Sequence, residues 1–492
     1  MEANEKKPRK IIFDLYFDEA PIFYKVAEEI QQLFGIEVIG VTLGKRWNNI
    51  IKNPKIKLYN MSDFFNKNWS SVNITGKIIK EYERKYGNPF NSNIILADRF
   101  FSNYFFYKYN WEYSTKYLIL SFKFWEFLVK KEKLYSSDIF VLPGVAFLPH
   151  LTCQKVAQKE KVNFFSLYVS PFTNNNFFIS HGINNFYPLL QKNYNNYLKR
   201  NLTKKEDEEI ELFLNNFKKK EIKPEYMKAI IQKKMVTPWH IKWFSLRFYY
   251  YYFLGWKKDK FDFITLNPFW YAFRDLRMVV KAQIMNLFYK FNKVGKEEEY
   301  VFFPLHLQPE ASTLILGSYY VDQIALIENI AKSIPLDYKL YVKEHISALG
   351  KRDSGYYKKI KKIPNVKLIS PYENSHELIK RSKAVIVITS TVGLEGLIYE
   401  KPVIVLGNTF YNISDLTYQI KGIKELPGVL KSMIEEDFQI DKLKLKKFIL
   451  SLLHSSHKGN IYVPHVSGAK TLIQENIKNI SFGIVDEYQK IS

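Results

Sequence analysis

Two stretches in the C-terminal half of the chain end an apolar run with residues that can bind an anion. In "YVKEHISALG" the run ends in Lys343 and His345, and in "ITSTVGLEGL" it ends in Ser390 and Thr391. An imidazole can offer an N–H or a positive charge to a phosphate oxygen. Unpaired amides at the start of a helix attract anions as well. The two stretches therefore predict a phosphate site, although a lone histidine at a strand end is often purely structural.

Carboxylates near these stretches suit the hydroxyl groups of a sugar or ribose. "PLHLQPEAST" places Gln308 and Glu310 directly after the apolar run "YVFF", and Glu395 lies one turn into the helix that follows Thr391. We expect Gly393 to let the backbone approach a ligand closely. The simpler interpretation of Glu310 is an N-terminal helix cap.

Strands alternate with helices around these residues, so the C-terminal half predicts a parallel α/β sheet. The predicted strands are "YVFFPLH", "YKLYVKEH", "NVKLIS", "KAVIVITS" and "KPVIVLG". Ligands of such sheets bind beyond the carboxyl ends of the strands. We therefore expect residues near positions 310, 345 and 391 to lie at one edge.

The N-terminal half begins with its own strand–helix–strand unit, in which Gly35 is a plausible helix C-cap. We interpret "NIILADRF" as the third strand, with Asp98 at its end as a candidate catalytic base for an acceptor hydroxyl. An ion pair with Arg99 or a cap on a neighbouring helix is an equally weighted interpretation of Asp98. His454 and His457 read as surface residues.

The totals restrict the class of protein. A chain of 492 residues predicts at least two domains, and a net charge of +24 favours an anionic partner or reflects codon bias. Cys153 is the only cysteine, which excludes an internal disulfide. No Asp-x-Asp motif, nucleic-acid signature or apolar leader is apparent. We therefore expect a cytoplasmic, metal-independent protein that needs no cofactor and binds no nucleic acid.

The fold prediction is two Rossmann-like domains facing a cleft. Residues 1–285 would form an acceptor-side domain with a helical insertion at about 190–285, and residues 286–492 a nucleotide-sugar-binding domain. Within the insertion, "MVTPWHIKWFSLRFYYYYFLGWKK" interleaves aromatic and basic residues. Such a segment packs between domains or lies in a lipid headgroup layer, which leaves peripheral binding to the inner membrane open.

The stretches "FFPLHLQPEAST", "LYVKEHISALGKR", "NVKLISPYENSHELIKRS" and "ITSTVGLEGLIYEKPVIVLG" resemble the capsular polysaccharide biosynthesis family. That family includes capsule Kdo transferases with the two-domain GT-B fold. The resemblance implies a glycosyltransferase that uses a nucleotide-activated sugar, CMP-linked sugars among the options, and a polysaccharide or lipid-linked glycan acceptor. His345 would grip phosphate, as its counterpart does in the family.

Two alternatives stay open at this point. The family's histidine precedes a proline where this chain has Ile346, and residues Ser170 to Tyr187 contain no acid where the Kdo transferases carry one. A non-catalytic capsule assembly or export protein is therefore one alternative. A sugar-nucleotide 2-epimerase, which shares the two-domain architecture, is the other.

Overall fold

The computed structural model describes residues 7–16, 19–44, 54–87, 91–98, 110–145, 147–173, 175–220, 261, 268–435, 438–462 and 471–491. The aromatic segment "MVTPWHIKWFSLRFYYYYFLGWKK" lies outside these residues. The contacts divide the chain into two compact units. The first unit contains the described residues of 1–189, 242–273 and 456–492, and the second those of 190–241 and 274–455.

The first unit is built on a sheet in the order β13-β6-β5-β4-β1-β2-β3, in which β6 is antiparallel to both of its neighbours. Its strands are β1 (Lys10–Asp14), β2 (Glu37–Thr42), β3 (Lys57–Asn60), β4 (Ile139–Leu142), β5 (Asn163–Val169), β6 (Asn176–Ser180) and β13 (His457–Lys458). Its helices are α1 (Ala20–Phe34), α2 (Met61–Asn68), α3 (Gly76–Tyr86), α4 (Ser92–Ala97), α5 (Trp111–Glu132), α6 (Leu148–Glu160) and α17 (Gln474–Ile491).

The second unit is built on a parallel sheet in the order β12-β11-β10-β7-β8-β9. Its strands are β7 (Tyr300–Pro304), β8 (Lys339–Lys343), β9 (Val366–Ile369), β10 (Ala384–Val387), β11 (Val403–Val405) and β12 (Tyr418–Gln419). Its helices are α8 (Lys204–Lys220), α10 (Ala311–Leu314), α11 (Gln323–Ala331), α12 (Ser354–Lys361), α13 (Ser375–Arg381), α14 (Val392–Ile398), α15 (Leu426–Glu435) and α16 (Lys442–His454). Most of α7 (Pro188–Leu198) and of α9 (Pro268–Phe288) also belongs to this unit.

Local sequence signals account for many of these boundaries. The α1 side chains Ile22, Val26 and Ile30 are buried at helical spacing, and Gly35 ends the helix at φ 66°. Before α8, the Thr203 amide donates to the Glu206 carboxylate at 2.9 Å and the Glu206 amide donates to the Thr203 hydroxyl at 3.3 Å. These two reciprocal bonds form a capping box at the start of α8. The α/β class, with two parallel-rich sheets, is confirmed.

One predicted strand is wrong. "NIILA" forms α4, and the third strand in chain order is β3, an edge strand that pairs only with β2 among the described strands. A short apolar run fits a buried helix as well as a strand, because periodicity cannot separate the two at this length. The sequence "KLYN" of β3 gives no clear strand signal, because this edge strand has no fully buried side chain.

The structure also divides the chain differently from the prediction, which had a single domain boundary at residue 285. The described residues of 190–220 fold with the second unit, and the C-terminal residues from 456 return to the first. There, Ile477, Ile480 and Ile484 of α17 are buried in the core beneath α1. The chain therefore crosses between its units more than once.

The prediction that His457 is a surface residue is wrong, because its side chain is buried in the first unit. Its Nε2 lies 2.9 Å from one oxygen of the buried Glu487 carboxylate, whose other oxygen lies 3.1 Å from Nε2 of His181. Burial raises the pKa of Glu487, but the hydrogen bonds from the two imidazoles outweigh it, so this pKa is lowered. The bridge ties β13 and α17 to the end of β6.

Candidate functional site

The three stretches singled out in the sequence follow adjacent strands of the second unit. The loops after β10, β7 and β8 begin at the same edge, because these strands are parallel neighbours in that order. The contacts between the loops are direct. The Thr389 amide donates to Nε2 of His306 at 3.1 Å, and the Arg352 guanidinium donates to the His306 carbonyl at 2.6 Å. The structure thus brings the three loops together at one rim.

His345 has a defined tautomer at this rim. Its Nδ1 accepts a hydrogen bond from the Ser347 amide at 3.2 Å, so the proton of the neutral ring is assigned to Nε2. Burial lowers its pKa to about 4, and the positive charges of Lys343, Lys351 and Arg352 add to this effect. At neutral pH, His345 is therefore an uncharged N–H donor in a positive environment.

A buried ion pair fixes the backbone beside His345. Glu344 is fully buried, and its Oε2 lies 2.8 Å from Nε of Arg352 without the alignment of a hydrogen bond. Its other oxygen accepts the His345 amide at 2.6 Å. Because Arg352 also binds the His306 carbonyl, this pair joins the loops after β7 and β8. Neither Glu344 nor Arg352 was predicted. A carboxylate at the end of a buried strand, as at Glu344, was a usable signal for such a pair.

His306 holds the rim together from within. Burial lowers its pKa to about 3, with His345 and Arg352 contributing in the same direction, so the ring is neutral. The side chain of Gln323 accepts from the His306 amide at 2.8 Å and donates to its carbonyl at 3.1 Å. We therefore assign His306 a positioning role.

Other predicted residues of the rim make structural contacts. Gln308 donates to the Val321 carbonyl at 2.8 Å, and the buried Lys343 ammonium donates to the Pro371 carbonyl at 3.1 Å. Glu310 occupies the N-cap position of α10, but its side chain makes no capping hydrogen bond. The interpretation of Glu310 as a helix cap is therefore right about its position, but the carboxylate itself does not cap the helix.

The loop after β10 is anchored by Tyr411. The Tyr411 hydroxyl donates to the Ser390 carbonyl at 2.6 Å, and the Ser390 hydroxyl accepts from the Val392 amide at 3.2 Å. Thr391 is exposed, whereas Ser390 and Glu395 are half-buried. A Cβ on Gly393 would lie 2.3 Å from the Tyr411 oxygen. The packing of Tyr411 therefore accounts for a glycine at position 393, and close approach of a ligand to Gly393 stays a prediction.

Asp98 does not end a strand. It follows α4, its side chain is buried, and its Oδ2 accepts from the Leu148 amide at 2.6 Å, at the start of α6. This is the helix-capping interpretation of Asp98. This contact involves one carboxylate oxygen of Asp98, and the role of Asp98 as a catalytic base stays a prediction.

The first unit contains a buried acid–base pair that sequence reasoning missed. Asp14, at the end of β1, bonds His150 in the first turn of α6, and both side chains are buried. Burial raises the pKa of Asp14, and the neighbouring imidazole opposes this shift. The ring of Tyr16 stacks on His150 at a centroid distance of 5.8 Å. The aspartate within the apolar run "IIFDLY" was the sequence signal that could have identified this buried pair.

Among the residues that the structure describes, no three His, Cys, Asp or Glu side chains are grouped as metal ligands. No helix in the same ranges is long and apolar enough to cross a membrane. Metal independence itself stays a prediction.

Two relatives with printed descriptions match part of the chain. The chain is 38% identical over 86 residues to the capsule polysaccharide export protein KpsS of Escherichia coli, a match that covers 18% of this chain and 20% of KpsS. It is 31% identical over 148 residues to protein FixF of Sinorhizobium fredii, covering 29% of this chain and 34% of FixF. The matches thus span about a fifth and about a third of these relatives.

A solved structure of Thermosulfurimonas dismutans KpsC, a beta Kdo 2,7 transferase, superposes with a TM-score of 0.39 at 14% identity, covering 74% of this chain and 88% of that one. At this score the likeness has no bearing on activity. Residues 271–426 match the family model described as capsule polysaccharide biosynthesis protein. This matched part of the chain, which is similar to the capsule polysaccharide biosynthesis family, carries His306, His345 and Ser390.

Proposed function

We propose that the chain is a glycosyltransferase that takes its sugar from a nucleotide-activated donor bound at the rim of the second unit. The observation that carries the proposal is the state of His345. Its assigned tautomer leaves an Nε2–H donor at a strand end surrounded by Lys343, Lys351 and Arg352. A neutral N–H donor within a positive field suits a phosphate oxygen.

The reaction displaces a nucleotide from the anomeric carbon of the sugar. An acceptor hydroxyl oxygen forms the new bond to that carbon and its proton is released to solvent, while the bond from the carbon to the phosphate oxygen breaks. The electron pair of that bond stays on the phosphate, whose negative charge grows as it leaves. Donors already aimed at that charge stabilise the transition state more than the ground state. Glu310 and Glu395 are the carboxylates we assign to sugar or ribose hydroxyls.

The acceptor that we propose is a surface polysaccharide or a lipid-linked glycan. Support comes from the family match over residues 271–426 and from the net charge of +24, which favours anionic partners. CMP-linked sugars are the first donors to test. UDP-, GDP- and CDP-linked sugars complete the panel.

The test is release of nucleotide from each donor, with and without a capsular glycan or lipid-linked acceptor. Release that depends on the acceptor, and is lost in His345→Ala and Glu395→Ala while the fold persists, supports the transferase. Unchanged release in both variants would remove the donor-site assignment. A change of sugar configuration with donor alone would favour the epimerase.

A non-catalytic role in capsule assembly or export is the second candidate. The matched E. coli relative is an export protein, and Ser170 to Tyr187 contains no acid. If no donor is turned over and the chain instead co-purifies with other capsule-assembly proteins, this candidate replaces the transferase.

A further inference from the structure

Helix α9 carries a row of exposed apolar side chains. We call this row the α9 stripe; its exposed fractions are Leu276 53%, Val280 48%, Ile284 53%, Leu287 75% and Phe288 76%. Intervals of three and four residues place these side chains on one face of the helix. A contiguous apolar surface of this kind marks an interaction site more often than isolated exposed residues do.

The opposite face of α9 is fixed to the second unit. Val279 and Ala282 are buried, and the Asn286 side chain accepts from the Tyr372 hydroxyl at 2.9 Å. A Cβ on Gly350 would lie 2.1 Å from the Met278 carbonyl oxygen. Helix α9 therefore packs against the loop that begins at His345, and the stripe faces away from this contact.

Basic residues lie beside the stripe and at its C-terminal end. Arg277 is exposed beside Leu276, and Lys290 and Lys293 are exposed just beyond the end of α9. The Lys361 ammonium of α12 bonds the Lys290 carbonyl, which brings the lysine-rich last turn of α12 to the same end of the helix. Apolar residues flanked by Lys and Arg are the pattern of a helix that lies in an anionic lipid surface.

We propose that α9 binds the chain to an anionic lipid bilayer, with the α9 stripe in the headgroup layer. Because α9 touches the loop of His345, the bound chain holds its donor rim beside the bilayer. The use of this placement for sugar transfer rests on the proposed glycosyltransferase function, whereas lipid binding does not.

The first test places a reporter on the helix. Cys153 is buried and is the only native thiol, so a dye on Ile284→Cys labels a single site. An environment-sensitive dye there should shift to the blue with phosphatidylcholine vesicles that contain phosphatidylglycerol, and less with phosphatidylcholine alone. The shift should weaken as salt rises. The same dye on Leu336→Cys, which is exposed outside α9, should not shift.

The second test compares co-sedimentation of the full chain with the same vesicles. Leu287→Ser combined with Phe288→Ser should lose most of the binding, while Leu212→Ser combined with Leu336→Ser, two exposed apolar sites outside α9, should keep it. Equal binding of both double variants would overturn the proposal. So would a lipid-free dimer that the stripe variant abolishes, because a second copy would then cover the stripe. Lipid binding without sugar transfer would leave this inference standing and overturn the proposed function alone.

Discussion

At the residue scale, the position of His345 could be predicted and its environment could not. The strand "YKLYVKEH" predicts a histidine at a strand end, and the structure has it directly after Glu344, past the end of β8. The partner of Glu344, Arg352, is eight positions further along a loop, and loop geometry is not encoded in periodicity. The low pKa of the imidazole follows from this burial and these neighbours, so it too lay beyond sequence reasoning.

The two rim histidines make the second unit sensitive to acid. Burial first, and nearby cations second, hold the folded pKa of His345 at about 4 and that of His306 at about 3, below their ordinary value. As the pH falls through the ordinary value, the unfolded chain therefore binds protons that the folded chain does not, and stability falls. We expect up to about 1.4 kcal/mol per pH unit for each histidine.

The measurement is urea unfolding of the second unit at a series of pH values from neutral to mildly acidic. His345→Asn keeps an acceptor for the Ser347 amide and removes one titrating group, so its stability should fall less steeply with acid. A slope equal to that of the wild type would contradict the burial of a neutral His345.

Gly393 tests the packing of the loop after β10. Gly393→Ala should destabilise the second unit by about 1–3 kcal/mol, as overpacking does, because its Cβ would meet the Tyr411 oxygen at 2.3 Å. Adding Tyr411→Phe should recover part of the loss. Gly428→Ala, where a Cβ meets nothing within 4 Å, is the matched control and should be close to neutral in thermal unfolding. Equal effects of the two alanines would contradict this account of Gly393.

At the element scale, long periodic segments were predicted well and short ones were not. The spacing of Ile22, Val26 and Ile30 fixes α1, and the capping box fixes the start of α8. "NIILA" carries no such signal, so the tertiary contacts of α4 decide its state. The role of α9 could not be predicted either, because the face that it buries depends on the loop at Gly350.

Gly350 tests the contact between α9 and the loop of His345. Its φ of +78° disfavours other residues, and a Cβ there would meet the Met278 carbonyl at 2.1 Å, a backbone atom with little freedom to move. Gly350→Ala should therefore lower the melting temperature and increase hydrogen exchange in α9. Gly355→Ala, in open space on α12, should be neutral or slightly stabilising. Unchanged exchange in α9 would show that this contact does not hold the helix.

At the scale of the whole molecule, the return of the C-terminal segment to the first unit could not be predicted. β13 is two residues long, and its partner β6 is almost three hundred positions earlier. Long-range pairing by so short a strand leaves no pattern in the local sequence. The second sheet, with its regular alternation of strand and helix, could be predicted nearly complete.

Glu487→Gln tests the return of the C-terminal segment to the first unit. The carboxylate accepts from His181 and His457, and the net effect is a lowered pKa, so its contribution is present at neutral pH and is lost as the pH falls through the folded pKa. The variant should lose about 1.5–3 kcal/mol at neutral pH, as for a buried charged hydrogen bond, and less in acid. Faster hydrogen exchange in β6 and β13, with α11 unchanged, is the readout. A loss that is equal in both units would contradict the assignment of this segment.

Calorimetric titration of the donor tests the central claim most directly. The nucleotide sugar that raises the melting temperature most is titrated into the wild type, into His345→Ala and into Leu336→Ser as a surface control. The account predicts that His345→Ala weakens the affinity about tenfold or more, as expected for a lost hydrogen bond to a charged group, while Leu336→Ser binds as the wild type does. Equal affinity of a folded His345→Ala, or no binding of any donor by the wild type, would contradict it.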